Sequence, residues 1–126
     1  MTWTNVFQFT ADGNNGKYGD RIPAFYIQNQ NENGYFQICS AVNGIKNYAI
    51  NHKFDLGKQY QITIKQYEKM GKYIYEIIID GDTIDQKENT KAMNFSNVKL
   101  YGSNPWIDDF TYKFGSACGF NIVGAP

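Results

Sequence analysis

The chain has 126 residues with 12 basic and 12 acidic side chains, so no net charge draws it to nucleic acid or to an anionic membrane. That length suits one domain, large enough to bury a core without obligatory disulfides or metals. No apolar run approaches the roughly 18 residues that cross a bilayer, and Met1-Thr2-Trp3-Thr4 lacks the basic start and apolar centre of a signal peptide. Aromatic residues make up 17%, with 10 Tyr and 9 Phe, a composition that suits pleated, half-buried surfaces and predicts a β-rich fold.

Thr4 to Thr10 alternates, with Phe7 and Phe9 on one face and Val6, Gln8 and Thr10 on the other, the period of a strand. It runs into Ala11-Asp12-Gly13-Asn14-Asn15-Gly16, a loop by composition. A second strand is expected from Pro23 to Gln28, where proline is tolerated as the first residue. Asn29 to Gly34 reads as a turn, Tyr35 to Ser40 as a strand, Asn43-Gly44 as a tight turn and Tyr48 to His52 as a short returning strand.

From Tyr60 the alternation is clearest: Tyr60, Ile62 and Ile64 face a core while Gln61, Thr63 and Lys65 face water. Tyr73 to Ile79 follows a turn at Lys69 to Gly71, and Asp80-Gly81 closes a hairpin onto Thr83-Ile84. Val98 and Leu100 mark a further strand and Phe110 to Phe114 another. No segment keeps apolar residues at helical spacing over three turns. The expectation is an all-β domain of short antiparallel strands joined by Gly/Asn turns, a sandwich or barrel.

Two loop segments stand apart from this periodic filler: Gly19-Asp20-Arg21-Ile22-Pro23-Ala24, and Asn97-Val98-Lys99-Leu100-Tyr101-Gly102-Ser103-Asn104-Pro105-Trp106. Together with Phe9-Thr10, the Tyr60 to Gln66 strand and the Tyr73 to Gly81 hairpin, all in order, they resemble laminin-G-like domains of the concanavalin A-like lectin/glucanase superfamily. The resemblance covers roughly residues 5 to 106. It implies an antiparallel jelly-roll β-sandwich of two packed sheets. Relatives use it to bind glycans or extracellular proteins, sometimes with calcium, which points to an extracellular or secreted location. Relatives usually begin with one or two strands before the segment matching Trp3 to Thr10, and end with a strand soon after the Pro-Trp loop. A missing edge strand would expose unpaired backbone groups and invite pairing with a second copy, so a homo-oligomeric assembly subunit is the competing expectation.

A glycan site needs an aromatic face for the apolar side of a sugar, with planar amide, carboxylate or guanidinium groups for its hydroxyls. Tyr18, Asp20, Arg21, Asn104 and Trp106 supply those types within the two loops. The same residues also suit a structural role, with Arg21 bonded to carbonyls or an acid and Trp106 plugging the end of the sandwich. Calcium takes several oxygen ligands. Asp12 and Asp20 flank the Gly/Asn loop and Asp108-Asp109 follows the second, so these four would converge if the loops are neighbours.

Glucanases of the superfamily carry paired carboxylates at alternating positions on one strand, a pattern absent here; Glu76 stands alone on an otherwise apolar strand. His52, the single histidine, is expected on a solvent-facing strand or loop and cannot build a zinc cluster alone. The sequence therefore points away from catalysis and toward a binding module for a glycan or glycoprotein. Cys39 and Cys118 permit one disulfide or stand as two buried thiols, and an oxidising compartment favours the bridge. Asn94-Phe95-Ser96 matches an N-glycosylation acceptor.

Overall fold

A computed structural model of the chain describes residues 3–13, 15–30, 33–55 and 57–102. Eight strands form: β1 (Thr4–Thr10), β2 (Ala24–Gln30), β3 (Asn33–Val42), β4 (Ile45–Phe54), β5 (Ile62–Lys69), β6 (Lys72–Ile79), β7 (Asp82–Glu88) and β8 (Lys99–Gly102). Among the described residues none is helical, and no helix is long and apolar enough to cross a membrane. The expected strand at Phe110 to Phe114 lies outside the described residues.

Two antiparallel sheets result, one of five strands in the order β4-β3-β2-β1-β8 and one of three in the order β5-β6-β7. Each is built largely from chain neighbours: β1 to β4 form one meander and β5 to β7 another, while β8 returns to pair with β1. The first strand therefore lies inside its sheet rather than at an edge. Among the described residues the five-stranded sheet ends at β4 and β8.

Tight hairpins set the register. Asn43-Gly44, Met70-Gly71 and Asp80-Gly81 all take positive φ at both positions, the mirror-image turn whose twist matches the flanking strands. The turn expected over Asn29 to Gly34 is shorter than its composition suggests. Gln30 pairs with Asn33 and Asn29 with Gly34, because ladder hydrogen bonds carry these poor strand formers into the sheet.

Between the sheets, Phe25, Phe36, Ile38 and Val42 meet Tyr75, Ile77 and Ile79 in the main core. Burying each side chain of this kind stabilises by about 1.5–3 kcal/mol. An aromatic ladder crosses four strands: Phe7 stacks on Phe25 at 5.3 Å, Phe25 tilts onto Phe36 at 5.2 Å, and Phe36 stacks on Phe54 at 4.3 Å. Tyr60, just before β5, closes edge-on to Phe36 at 5.4 Å. Gly34 lies opposite Phe54, and a Cβ there would sit 2.3 Å from the ring. The glycine is what lets Phe54 lie flat.

The alternation expected for β1 breaks once. Asn5 pairs with Tyr26 and Phe7 with Phe25, leaving Val6 as an extra residue, so that both Val6 and Phe7 pack against the main core. Past this bulge, Gln8 pairs with Ala24 on the opposite face of the sheet. There a second cluster of Ala24, Tyr26 and Cys39 is packed by Trp3. His52 departs from expectation as well: on β4 it pairs with Phe36 of β3 and is half-buried rather than solvent-facing.

Candidate functional site

The Gly/Asn loop is organised around one carboxylate. Asp20 is 3% exposed, and its Oδ1 accepts from the Gly13 N–H at 3.0 Å while Oδ2 accepts from Gly16 at 2.7 Å and Lys17 at 2.8 Å. Burial pushes its pKa up, but these backbone donors and the Lys17 charge outweigh that and leave it below the ordinary carboxylate range. The strand below adds more ties: Gln8 Nε2 donates to the Asp20 carbonyl at 2.9 Å and Thr10 Oγ1 to the Gly13 carbonyl at 2.7 Å. Asp12 forms a short exposed ion pair with Lys17 at 2.6 Å.

Arg21 turns to the outer face of the five-stranded sheet. Its guanidinium lies 5.1 Å over the Tyr26 ring and donates to Asn47 Oδ1 at 2.7 Å, spanning β2 to β4. Beneath it Cys39 is a free, buried thiol whose pKa burial raises to about 11, with Arg21 pulling the other way. The loop end turns the opposite way: Tyr18 OH donates to the Lys91 carbonyl at 2.9 Å, and its ring tilts against Phe95 at 6.2 Å.

The sequence-predicted site residues are thus placed separately. Asp20 holds its own loop, Arg21 clamps one sheet face, and Tyr18 reaches the segment after β7. Asn104, Trp106, Asp108, Asp109 and Cys118 lie outside the described residues. Among the described residues no three His, Cys, Asp or Glu side chains gather as a metal site. Asn94 and Ser96 are exposed on the irregular segment that follows β7.

That segment borders a cleft the sequence did not disclose. The cleft measures about 290 Å³ and opens between the two sheets, with Pro23, Ile64, Met93 and Phe95 as apolar walls and Ser40, Gln66, Tyr75 and Asn89 as polar ones. Ser40 and Tyr75 share a buried hydrogen bond at 2.8 Å, and burial pushes the Tyr75 pKa up. Asn89, 3% exposed, donates to Gln66 Oε1 at 2.8 Å and to the Ala41 carbonyl at 3.4 Å, and accepts from the Asn43 N–H at 2.9 Å. Phe95 joins loop and cleft, because it lines the cavity and packs on Gly19, where a Cβ would lie 2.4 Å from its ring.

One sequence signal for this site existed. Ser40 continues the inward alternation of Phe36 and Ile38, and a hydroxyl on a core face needs a partner. Its partner, Tyr75, sits on another sheet, a pairing that local periodicity does not contain. The other buried carboxylate among the described residues, Glu76, points away from the cleft on the other face of β6, where Lys65 at 3.3 Å, Gln86 at 2.9 Å and Thr83 at 3.2 Å engage it. Comparisons of the chain with known protein families, with curated proteins and with solved structures return no match.

Proposed function

We propose that this chain is a non-catalytic binding module with carbohydrate as its ligand, acting outside the cell or on its surface. The observation that carries the reading is the cleft between the sheets, where hydroxyl and amide groups face apolar walls that include the Phe95 ring. That combination suits a sugar, whose ring offers C–H faces to an aromatic wall and hydroxyls to neutral hydrogen-bonding groups. The order of the Gly19 to Ala24 and Asn97 to Trp106 segments supports kinship with laminin-G-like domains and, with it, jelly-roll winding.

In this reading Asp20 and Tyr18 act indirectly, by fixing the loop that seats Phe95. The Glu76 carboxylate, engaged on the far side of its strand, supports a role without acid–base chemistry. Screening the folded protein on a glycan array, with and without calcium, tests the proposal. Binding to a defined glycan set supports it, and absence of binding under both conditions sinks it.

A second reading, an assembly subunit, draws on β8. This four-residue strand ends the five-stranded sheet among the described residues and carries Leu100, which is 46% exposed. Light scattering after size exclusion separates the two readings: concentration-dependent oligomers support assembly, and a monomer that binds sugar supports the module.

A further inference from the structure

We propose that the cleft takes a single neutral sugar ring and holds it without a cation, an inference that rests on the carbohydrate reading above. Size is the first argument. At about 290 Å³ the cavity sits at the lower end of small-molecule pockets, which run from about 300 to 1,000 Å³. One ring fits, and a run of linked rings extends out of it.

Charge is the second argument. Among the described residues no carboxylate lines the cleft, and the one charged lining residue, Lys65, is paired with Glu76 at 3.3 Å. Calcium is held by several oxygens, chiefly from carboxylates, and among the described residues no such group faces the cavity. Asp20, the buried acid of the neighbouring loop, is surrounded by three backbone N–H donors, which favour an anion's oxygens and repel a cation. An acidic sugar gains no unpaired cationic partner here.

Hydrogen-bonding capacity suits the same ligand. Asn89 is committed: both of its amide hydrogens and its Oδ1 have protein partners. Gln66 is not, because Asn89 occupies its Oε1 while none of the described residues takes the two hydrogens of its Nε2. Ser40 and Tyr75 spend one O–H on each other, leaving one O–H and several lone pairs. The cleft therefore offers two amide donors and a hydroxyl that donates or accepts, a set matched to neutral ring hydroxyls.

The test is titration of the full chain with methyl glycosides of neutral hexoses, N-acetylglucosamine and glucuronic acid, each in EDTA and in calcium, followed by amide NMR shifts and calorimetry. Gln66→Glu keeps the acceptor for Asn89 while removing both donors, so the fold persists and the contact is lost. The expected result is binding of at least one neutral ring, unchanged within about twofold by EDTA, with shifts at Gln66, Tyr75 and Phe95. Gln66→Glu then weakens it about fivefold or more, the loss of one or two neutral hydrogen bonds. Binding that requires calcium, is confined to glucuronic acid, or ignores Gln66→Glu overturns this inference while leaving the carbohydrate reading standing. No binding of any sugar, here or on the array, overturns both.

Discussion

Asn89 holds the backbone of Asn43 across the sandwich, and Asn43 in turn holds the backbone of Thr90, the residue after Asn89. The Asn43 N–H donates to Asn89 Oδ1 at 2.9 Å, and Asn43 Oδ1 accepts from the Thr90 N–H at 2.7 Å. One lies in the β3–β4 hairpin at a φ of 56° and the other just after β7, so the pair ties a corner of the large sheet to the end of the small one.

Asn89→Ala removes four hydrogen bonds and leaves the Asn43 N–H and the Ala41 carbonyl without this partner. The expected loss is about 2–4 kcal/mol, from unsatisfied buried groups rather than from lost apolar area. Urea unfolding measures it, and a change below about 0.5 kcal/mol would show that water replaces the side chain.

Asp20 gives the protein an acid sensitivity with a defined sign. Its pKa in the folded state lies below the ordinary carboxylate range, so its contribution is fully present above the unfolded-state pKa and is lost as pH falls through the folded-state one. Asp20→Asn is expected to destabilise at pH 7 and to converge on the parent protein once the pH has fallen through the folded-state pKa of Asp20. Parallel denaturant curves at several pH values check this; a constant gap at all pH values would show that geometry alone, not charge, holds the loop.

Gly19 is constrained twice. Its φ of 108° disfavours any side chain, and a Cβ would fall 2.4 Å from the Phe95 ring. Gly19→Ala is expected to cost about 2–4 kcal/mol and to move Phe95 out of the cleft wall. Gly34→Ala offers a control away from the cleft: it should unseat Phe54 from Phe36 and destabilise the core while leaving Phe95 in place. Thermal unfolding and aromatic NMR shifts distinguish the two.

Cys39 should be silent to thiol reagents. With its pKa raised to about 11 by burial, almost none is thiolate at neutral pH. In a Cys118→Ser variant, the native protein is expected to leave Cys39 unlabelled by Ellman's reagent for hours, with full reaction in denaturant. Rapid native labelling would mean that the Trp3-covered face opens readily.

The strand pattern was legible in the sequence because period-2 alternation and Asn-Gly or Asp-Gly turns are local signals. Ile62 and Ile64 are half-buried and Thr63 and Lys65 exposed, as their alternation predicts. The bulge at Val6 was not legible, since a single extra residue leaves composition unchanged while returning Phe7 to the core face. The candidate site was the least legible part. Arg21 and Asp20 stand out by residue type, yet in the fold they clamp Tyr26 and the loop backbone. The cleft instead joins Ser40, Gln66 and Tyr75 from the two sheets with Asn89 from just after β7, residues that no short spacing connects.

The return of β8 to β1 has a kinetic meaning. Among the described residues every other ladder joins strands adjacent in the chain, whereas this one brings Phe7 beside Gly102 and Phe9 beside Leu100. Closing so long a loop costs entropy before any contact rewards it, so we expect the two meanders to assemble first and the β1–β8 seam to zip last. Substitutions at Leu100 should then speed unfolding with little effect on folding, and substitutions at Ile77 should slow folding. Stopped-flow rates that show the reverse would place the seam in the nucleus and make the far ends of the described chain the first parts to meet.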